Sequence, residues 1–168
     1  MQKSKIKAQA NKERLLAQLL EARAGILSEA SALSAKQRDT VFLGIWSVRE
    51  LLAHLAGWDY TNIEAIQSVL AGELPVFYEY RDRDWQTYNA MLVEKHGKGS
   101  FRELLSTVRR SHKKLVEFLQ TIPPEHFNRD FGVRFRGYKV TVQRLVEADI
   151  KDVTIHCQQI KDFWLFRN

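Results

Sequence analysis

The chain has 168 residues, 45% of them hydrophobic, which is enough for one filled core and within the usual range of a single domain. Lys and Arg number 26 against 20 Asp and Glu, a net charge of +6, so a polyanion enters as a partner class. The single cysteine, Cys157, excludes an intrachain disulfide or a cysteine zinc cluster within one chain, and no stretch approaches the roughly 18 apolar residues of a membrane span.

The basic residues are scattered: Lys3, Lys5 and Lys7, then Arg109, Arg110, Lys113 and Lys114, then Arg134 and Arg136. They lack the aromatic interleaving of a single-strand binder, so solvated faces account for them first and nucleic acid is the least favoured partner. No apolar core with a small-residue cleavage site follows the N-terminal lysines, and the expectation is a soluble, cytoplasmic protein with residues 1–168 as one domain.

The spacing predicts an all-α chain of four long helices. Asn11 is placed to cap the first, with Leu15, Leu16, Leu19, Leu20, Ile26 and Leu27 as its apolar positions and an end near Leu33. The preceding lysines oppose the helix dipole, so residues 1–10 are expected to fray. Ser47 and Glu50 form a capping box for the second helix, which runs to Gly72. An aromatic stretch, Phe77, Tyr78 and Tyr80, follows Pro75, and a shorter helix is expected from Asp84 to His96. Ser100 and Glu103 open the third long helix, which stops at Pro123 and Pro124. The alternation Phe131, Val133, Phe135 allows a short extended excursion before the fourth helix, from Thr141 to Phe166. The architecture predicted is a four-helix bundle with a long crossover between helices two and three that contains a short extra helix.

On the fourth helix His156 falls in the middle of the face made by Val142, Leu145, Val153, Ile160 and Phe163. Asp152 sits roughly 40° to one side and Asp149 roughly 20° to the other. An unpaired buried carboxylate is costly. A divalent cation, with His54 brought in from the margin of the second helix's apolar stripe, satisfies both imidazoles and the carboxylate of Asp152. The plainer reading stands beside it: an Asp and a His four apart also stabilise a helix, and a histidine at a stripe edge is commonly a satisfied core residue. Asp149 is on the same face and able to orient a ligand imidazole, while Trp58, Tyr60 and Asn89 are candidates to line the open side. His96, His112 and His126 read as surface or loop residues, and Cys157 as a packed, inert thiol.

The segment from Trp46 through His54 to Trp58, followed a hundred residues later by Asp152 to Ile160 with His156 inside it, resembles the DinB-like superfamily of four-helix bundles, near its ClbS/DfsB group. That resemblance implies a metal-binding histidine on the second helix and a His-x-x-x-His pair on the fourth, mapping onto His54, Asp152 and His156; here the first of the pair is Asp. It also implies a divalent transition metal (zinc, nickel, iron or manganese), hydrolase or thiol-transferase chemistry on a small electrophile with a low-molecular-weight thiol as cosubstrate, and a homodimer. The alternative is a metal-free helical protein that binds a small molecule or protects against stress.

Overall fold

The computed structural model describes residues 2–81 and 85–165. Four long helices build it: α1 (Gln2–Ala32), α3 (Val48–Leu70), α6 (Phe101–Thr121) and α7 (Val142–Leu165). The one-turn α2 (Ala35–Arg38) joins α1 to α3. The crossover from α3 to α6 carries α4 (Tyr78–Arg81) and α5 (Trp85–His96), and a 3-10 turn (Pro124–His126) with a hairpin of β1 (Arg134–Phe135) and β2 (Tyr138–Lys139) precedes α7. The expected starts and ends at Asp84 and Phe166 lie outside the described residues.

Local sequence explains most boundaries. Both predicted capping boxes are formed: the hydroxyls of Ser47 and Ser100 accept backbone N–H groups of the first turn while Glu50 and Glu103 reach back to the cap. A third box, Ser34 with Gln37, starts α2 and was legible from the same spacing but not expected. The extended excursion is a two-residue hairpin in which Arg136 and Gly137 both take positive φ, 49° and 82°, the turn whose twist matches paired strands.

The first helix differs from expectation. It is helical from Gln2, and Asn11 caps nothing: its amide donates to Gln143 Oε1 at 3.0 Å. Next to it, Lys12 Nζ donates to the carbonyls of Gln120 and Ile122 at 2.7 and 2.6 Å, satisfying chain-end acceptors of α6. Tertiary partners thus consume the side chains that local preference assigned to a cap.

In the bundle α1 packs along α7 and α3 along α6, with α5 laid against α3. Two apolar clusters fill it. One gathers Leu15, Leu19, Ile66, Leu115 and Phe127 toward the 3-10 turn; the other gathers Ile26, Leu51, Leu52, Leu104 and Val153 at the opposite end. Gly57 allows the close approach of α5: a Cβ there would meet Leu92 Cβ at 2.6 Å. Gly57→Ala is therefore expected to destabilise the fold by about 1–3 kcal/mol, because rigid backbones on both sides leave the clash nowhere to go. Urea unfolding followed by circular dichroism measures it; an unchanged midpoint would count against tight docking of α5.

Candidate metal centre and its cavity

His54 is presented by the second turn of α3, and Asp152 and His156 by successive turns of α7, so one helix pair brings the three together. Nε2 of His54 and Nε2 of His156 each lie 3.4 Å from the same oxygen, Asp152 Oδ2, and the three donor atoms all fall within 4.8 Å of one another. The imidazoles stand nearly perpendicular, 87° apart with centroids at 5.5 Å. At 3.4 Å these are long for charge-assisted hydrogen bonds, which close to about 2.7–2.9 Å. The spacing instead matches donors sharing one ion: bonds of about 2.0–2.1 Å in a tetrahedral arrangement put neighbouring ligand atoms about 3.3 Å apart.

The tautomers suit the same role. His156 Nδ1 is 2.7 Å from Gln159 Oε1; an amide oxygen only accepts, so the Nδ1 proton is donated there and the Nε2 lone pair is left facing Asp152. Gln159 thereby does the orienting expected of Asp149. His54 is 5% exposed, and its Nδ1 is buried without a hydrogen-bond partner among the described residues. The donor set and its geometry fit a divalent cation.

Electrostatics divides the trio. Burial pushes the His54 imidazole below its ordinary value, against the pull of Asp152. Burial acts in the same direction on His156, but the hydrogen bond and charge of Asp152 outweigh it and hold that ring above its ordinary value. For Asp152 burial is the largest single influence and raises it; the hydrogen bonds and charges of His156 and His54 together prevail, keeping the carboxyl below the usual range. Without a cation the anion and His156 form an ion pair, and a metal must displace a proton to enter.

Beside the trio opens a cavity of about 460 Å³, reaching from His54 and Asp152 past Trp58, Trp85 and Tyr78 to Arg144. The aromatic crossover covers it: Trp58 meets Phe77 and Trp85 with centroids at 5.3 Å each, and its Nε1 donates to Asn89 Oδ1 at 2.9 Å. Tyr78 in turn packs on Phe135 of the hairpin at 4.6 Å. Trp58 and Asn89 both line this cavity. Tyr60 does not: two residues and about 200° further round α3, it stacks on His96 at 5.4 Å, away from the trio.

Asp149 lines the cavity but does not orient an imidazole. It is 7% exposed, and its Oδ2 is buried with no hydrogen-bond partner among the described residues. Burial, followed by the neighbouring charge of Asp59, pushes its carboxyl up to about 7. The folded form keeps this proton to higher pH than the unfolded chain, where the value is about 4, so stability falls as pH rises between about 4 and 7. Asp149→Asn is expected to remove that slope and raise the melting temperature at pH 8, as thermal scans at pH 5 and pH 8 will measure.

One polar cluster was not anticipated. Arg23 of α1, 2% exposed, forms a two-pronged bridge to the fully buried Asp59 of α3, at 3.0 and 2.7 Å, and Ser111 of α6 donates to Asp59 Oδ2 at 2.6 Å. His112, read from sequence as a surface or loop residue, is buried beside them with Nδ1 3.9 Å from Asp59 Oδ1. Each sits on its helix's apolar stripe, Arg23 between Leu19 and Ile26, Asp59 between Leu55 and Ile66, and His112 between Val108 and Leu115. Polar breaks in those stripes carried the same signal that exposed Asp152 and His156. Cys157 is half-buried, its Sγ 3.7 Å from where a Cβ on Gly25 would lie, and burial raises its thiol.

A four-helix bundle with a two-histidine, one-carboxylate cluster at an interhelical cavity defines the class. The chain belongs to the DinB superfamily, whose family model matches residues 16–160. Among solved structures it resembles the colibactin self-resistance protein ClbS in complex with a double-stranded DNA, with a TM-score of 0.75 and 13% identity over 91% of this chain and 94% of that one. It resembles the sibling lethal factor precursor DfsB with a TM-score of 0.74 and 16% identity over 94% and 96%. A third, an uncharacterised protein from Escherichia coli UTI89, gives a TM-score of 0.69 and 18% identity over 94% of each chain. At these identities the likeness is one of fold. No curated protein matches the sequence. No helix among the described residues is long and apolar enough to cross a membrane. The low rank given to nucleic acid finds no support in a neighbour whose structure contains DNA.

Proposed function

We propose that this chain is a divalent-metal-dependent enzyme that acts on a small electrophile, by hydrolysis or by addition of a low-molecular-weight thiol. One observation carries the reading: Asp152 Oδ2 lies 3.4 Å from Nε2 of both His54 and His156, with all three donors within 4.8 Å of one another beside a cavity of about 460 Å³. A cation held by these three would have open positions and would supply Lewis acidity, lowering the pKa of a bound water or thiol. The protein's own residues prepare the rest. Gln159 fixes the His156 tautomer, the Trp58, Phe77 and Trp85 rings exclude bulk water, and Asp152 supplies the anion that a cation would pair with. Asp149, with its raised carboxyl, is suited to exchange a proton with a bound reactant near neutral pH.

Elemental analysis of tag-free protein, then reconstitution with zinc, nickel, iron or manganese, tests this. About one equivalent of one metal is expected; less than about a tenth, with no uptake, would count for the metal-free small-molecule binder. The homodimer expected from the family resemblance is measured separately by sedimentation.

A second reading, DNA association, is favoured by the exposed face of α6. Arg102, Arg109 and Lys113 fall within about 40° on the helical wheel, with Arg110 and Lys114 beside them. Together with a DNA-bound structural neighbour, this supports duplex binding through α6. Arg109→Glu with Lys113→Glu is expected to weaken binding to a 20-base-pair duplex at least about tenfold and to flatten its salt dependence. Equal binding by the wild type and the double variant would remove the reading.

A further inference from the structure

Arg144, an exposed residue on the first turn of α7, lines the cavity eight residues along that helix from Asp152. Its position conflicts with local preference, because a cation at a helix N-terminus faces the positive end of the dipole. It is nonetheless held firmly. Nη1 donates to the carbonyl of Lys139 at 2.8 Å, the guanidinium lies 5.8 Å from the Tyr138 ring centroid, and the Arg144 backbone N–H is bonded to Thr141 Oγ1 at 3.2 Å. Among the described residues Nη1 alone of the guanidinium nitrogens donates a hydrogen bond, and no carboxylate pairs with the group. The Nε and Nη2 edge, which presents two parallel N–H groups, is the edge that receives a carboxylate two-pronged.

We infer that the cavity takes an organic anion with a flat apolar body, its carboxylate received by Arg144 and its reacting end delivered to His54, Asp152 and His156. The reacting end rests on the functional reading above; the anion site does not. Arg144 and Asp152 are separated by eight residues of one helix, a rise of about 12 Å, which sets the span of the molecule. Between them the wall is apolar: Leu145 and Ala148 from α7, with Phe77 and Trp85 opposite. Asp149 is the one carboxylate on that wall between the two ends. It is 7% exposed and lies five residues along α7 from Arg144, a rise of about 7.5 Å. An anion at Arg144 therefore enters a site where the helix terminus and the guanidinium both favour it. A dication or ammonium compound would meet both as repulsion.

The test is a matched pair of probes, 2-naphthylacetate and 2-naphthylacetamide, which share shape and differ in charge, titrated by calorimetry. Wild-type protein is expected to prefer the acid at least about tenfold, Arg144→Gln to lose that preference while keeping the amide within about twofold, and Arg144→Lys to retain part of it. Ala148→Phe, which fills the cavity, is expected to abolish binding of both. An acid preference that survives in Arg144→Gln, or binding of either probe that survives in Ala148→Phe, overturns the inference, as does failure of the wild type to bind the acid. Circular dichroism establishes that each variant is folded. The titrations are run on both chelator-treated and zinc-loaded protein: selectivity that depends on Arg144 in the treated sample upholds the anion site even where zinc uptake fails, and zinc uptake without selectivity leaves the metal reading standing alone.

Discussion

Replacing Arg23 with alanine is expected to destabilise the fold by about 3–5 kcal/mol and to lower the melting temperature by roughly 10 °C, the largest loss foreseen from any single substitution in the bundle. Asp59 is fully buried, and its two oxygens are served by Arg23 and Ser111. Removing the guanidinium leaves a carboxylate with one hydroxyl partner in an apolar interior, where the desolvation already incurred is no longer offset. The cost belongs to the orphaned charge more than to the lost attraction. Arg23→Met combined with Asp59→Leu is therefore expected to recover most of the stability, since both charges leave together. Urea unfolding of the two variants distinguishes this account: if the double variant is as unstable as Arg23→Ala, the bridge contributes packing that aliphatic side chains cannot replace.

Asp152→Ala is expected to weaken metal affinity by at least about 100-fold while costing little stability, because the side chain is 48% exposed and its partners are the two imidazoles. On the proposed metal reading its anion holds His156 in place and would be one of three donors, so its removal would subtract both a ligand and the charge that draws a cation in. Gln159→Leu is milder, about tenfold, through loss of the Nδ1 acceptor alone. The pH dependence follows from the raised His156 imidazole. Uptake in the wild type must displace its proton, so apparent affinity is expected to fall as pH drops through the upper histidine range, and calorimetry between pH 6 and pH 8 measures it. Equal zinc affinity in Asp152→Ala and wild type would show that the cluster is only an ion pair.

Periodicity carries far in this chain where a helix has one apolar stripe. The serine boxes at Ser47 and Ser100 and the crossover helix lie where spacing puts them, because local hydrogen bonds decide them, while the extended excursion allowed over residues 131–135 is paired only from Arg134 and returns as a hairpin that the alternation did not specify. The inward turn of His54, Asp152 and His156 was legible because polar residues broke an apolar face, and the family resemblance assigned them together. Arg23 and Asp59 break their faces in the same way but came from helices with no motif to join them, so their pairing depended on which helices touch. Asn11 failed as a cap for a related reason: its partner, Gln143, is distant in sequence. Tyr60 shows the limit of wheel arithmetic, since two residues beyond Trp58 the helix has turned from the cavity toward His96. The exchange of roles between Asp149 and Gln159 turned on rotamers, which spacing does not specify.

Trp46 is held by a tight turn through its backbone bonds with Leu43, and its ring centroid lies 5.0 Å from that of His54. An excited indole at that range loses intensity to a protonated imidazole and to many paramagnetic ions. Trp58 is a second indole near that ring, at 6.2 Å, so on the proposed metal reading the summed tryptophan emission of the native chain is expected to register a proton or ion arriving at His54 without any label being attached.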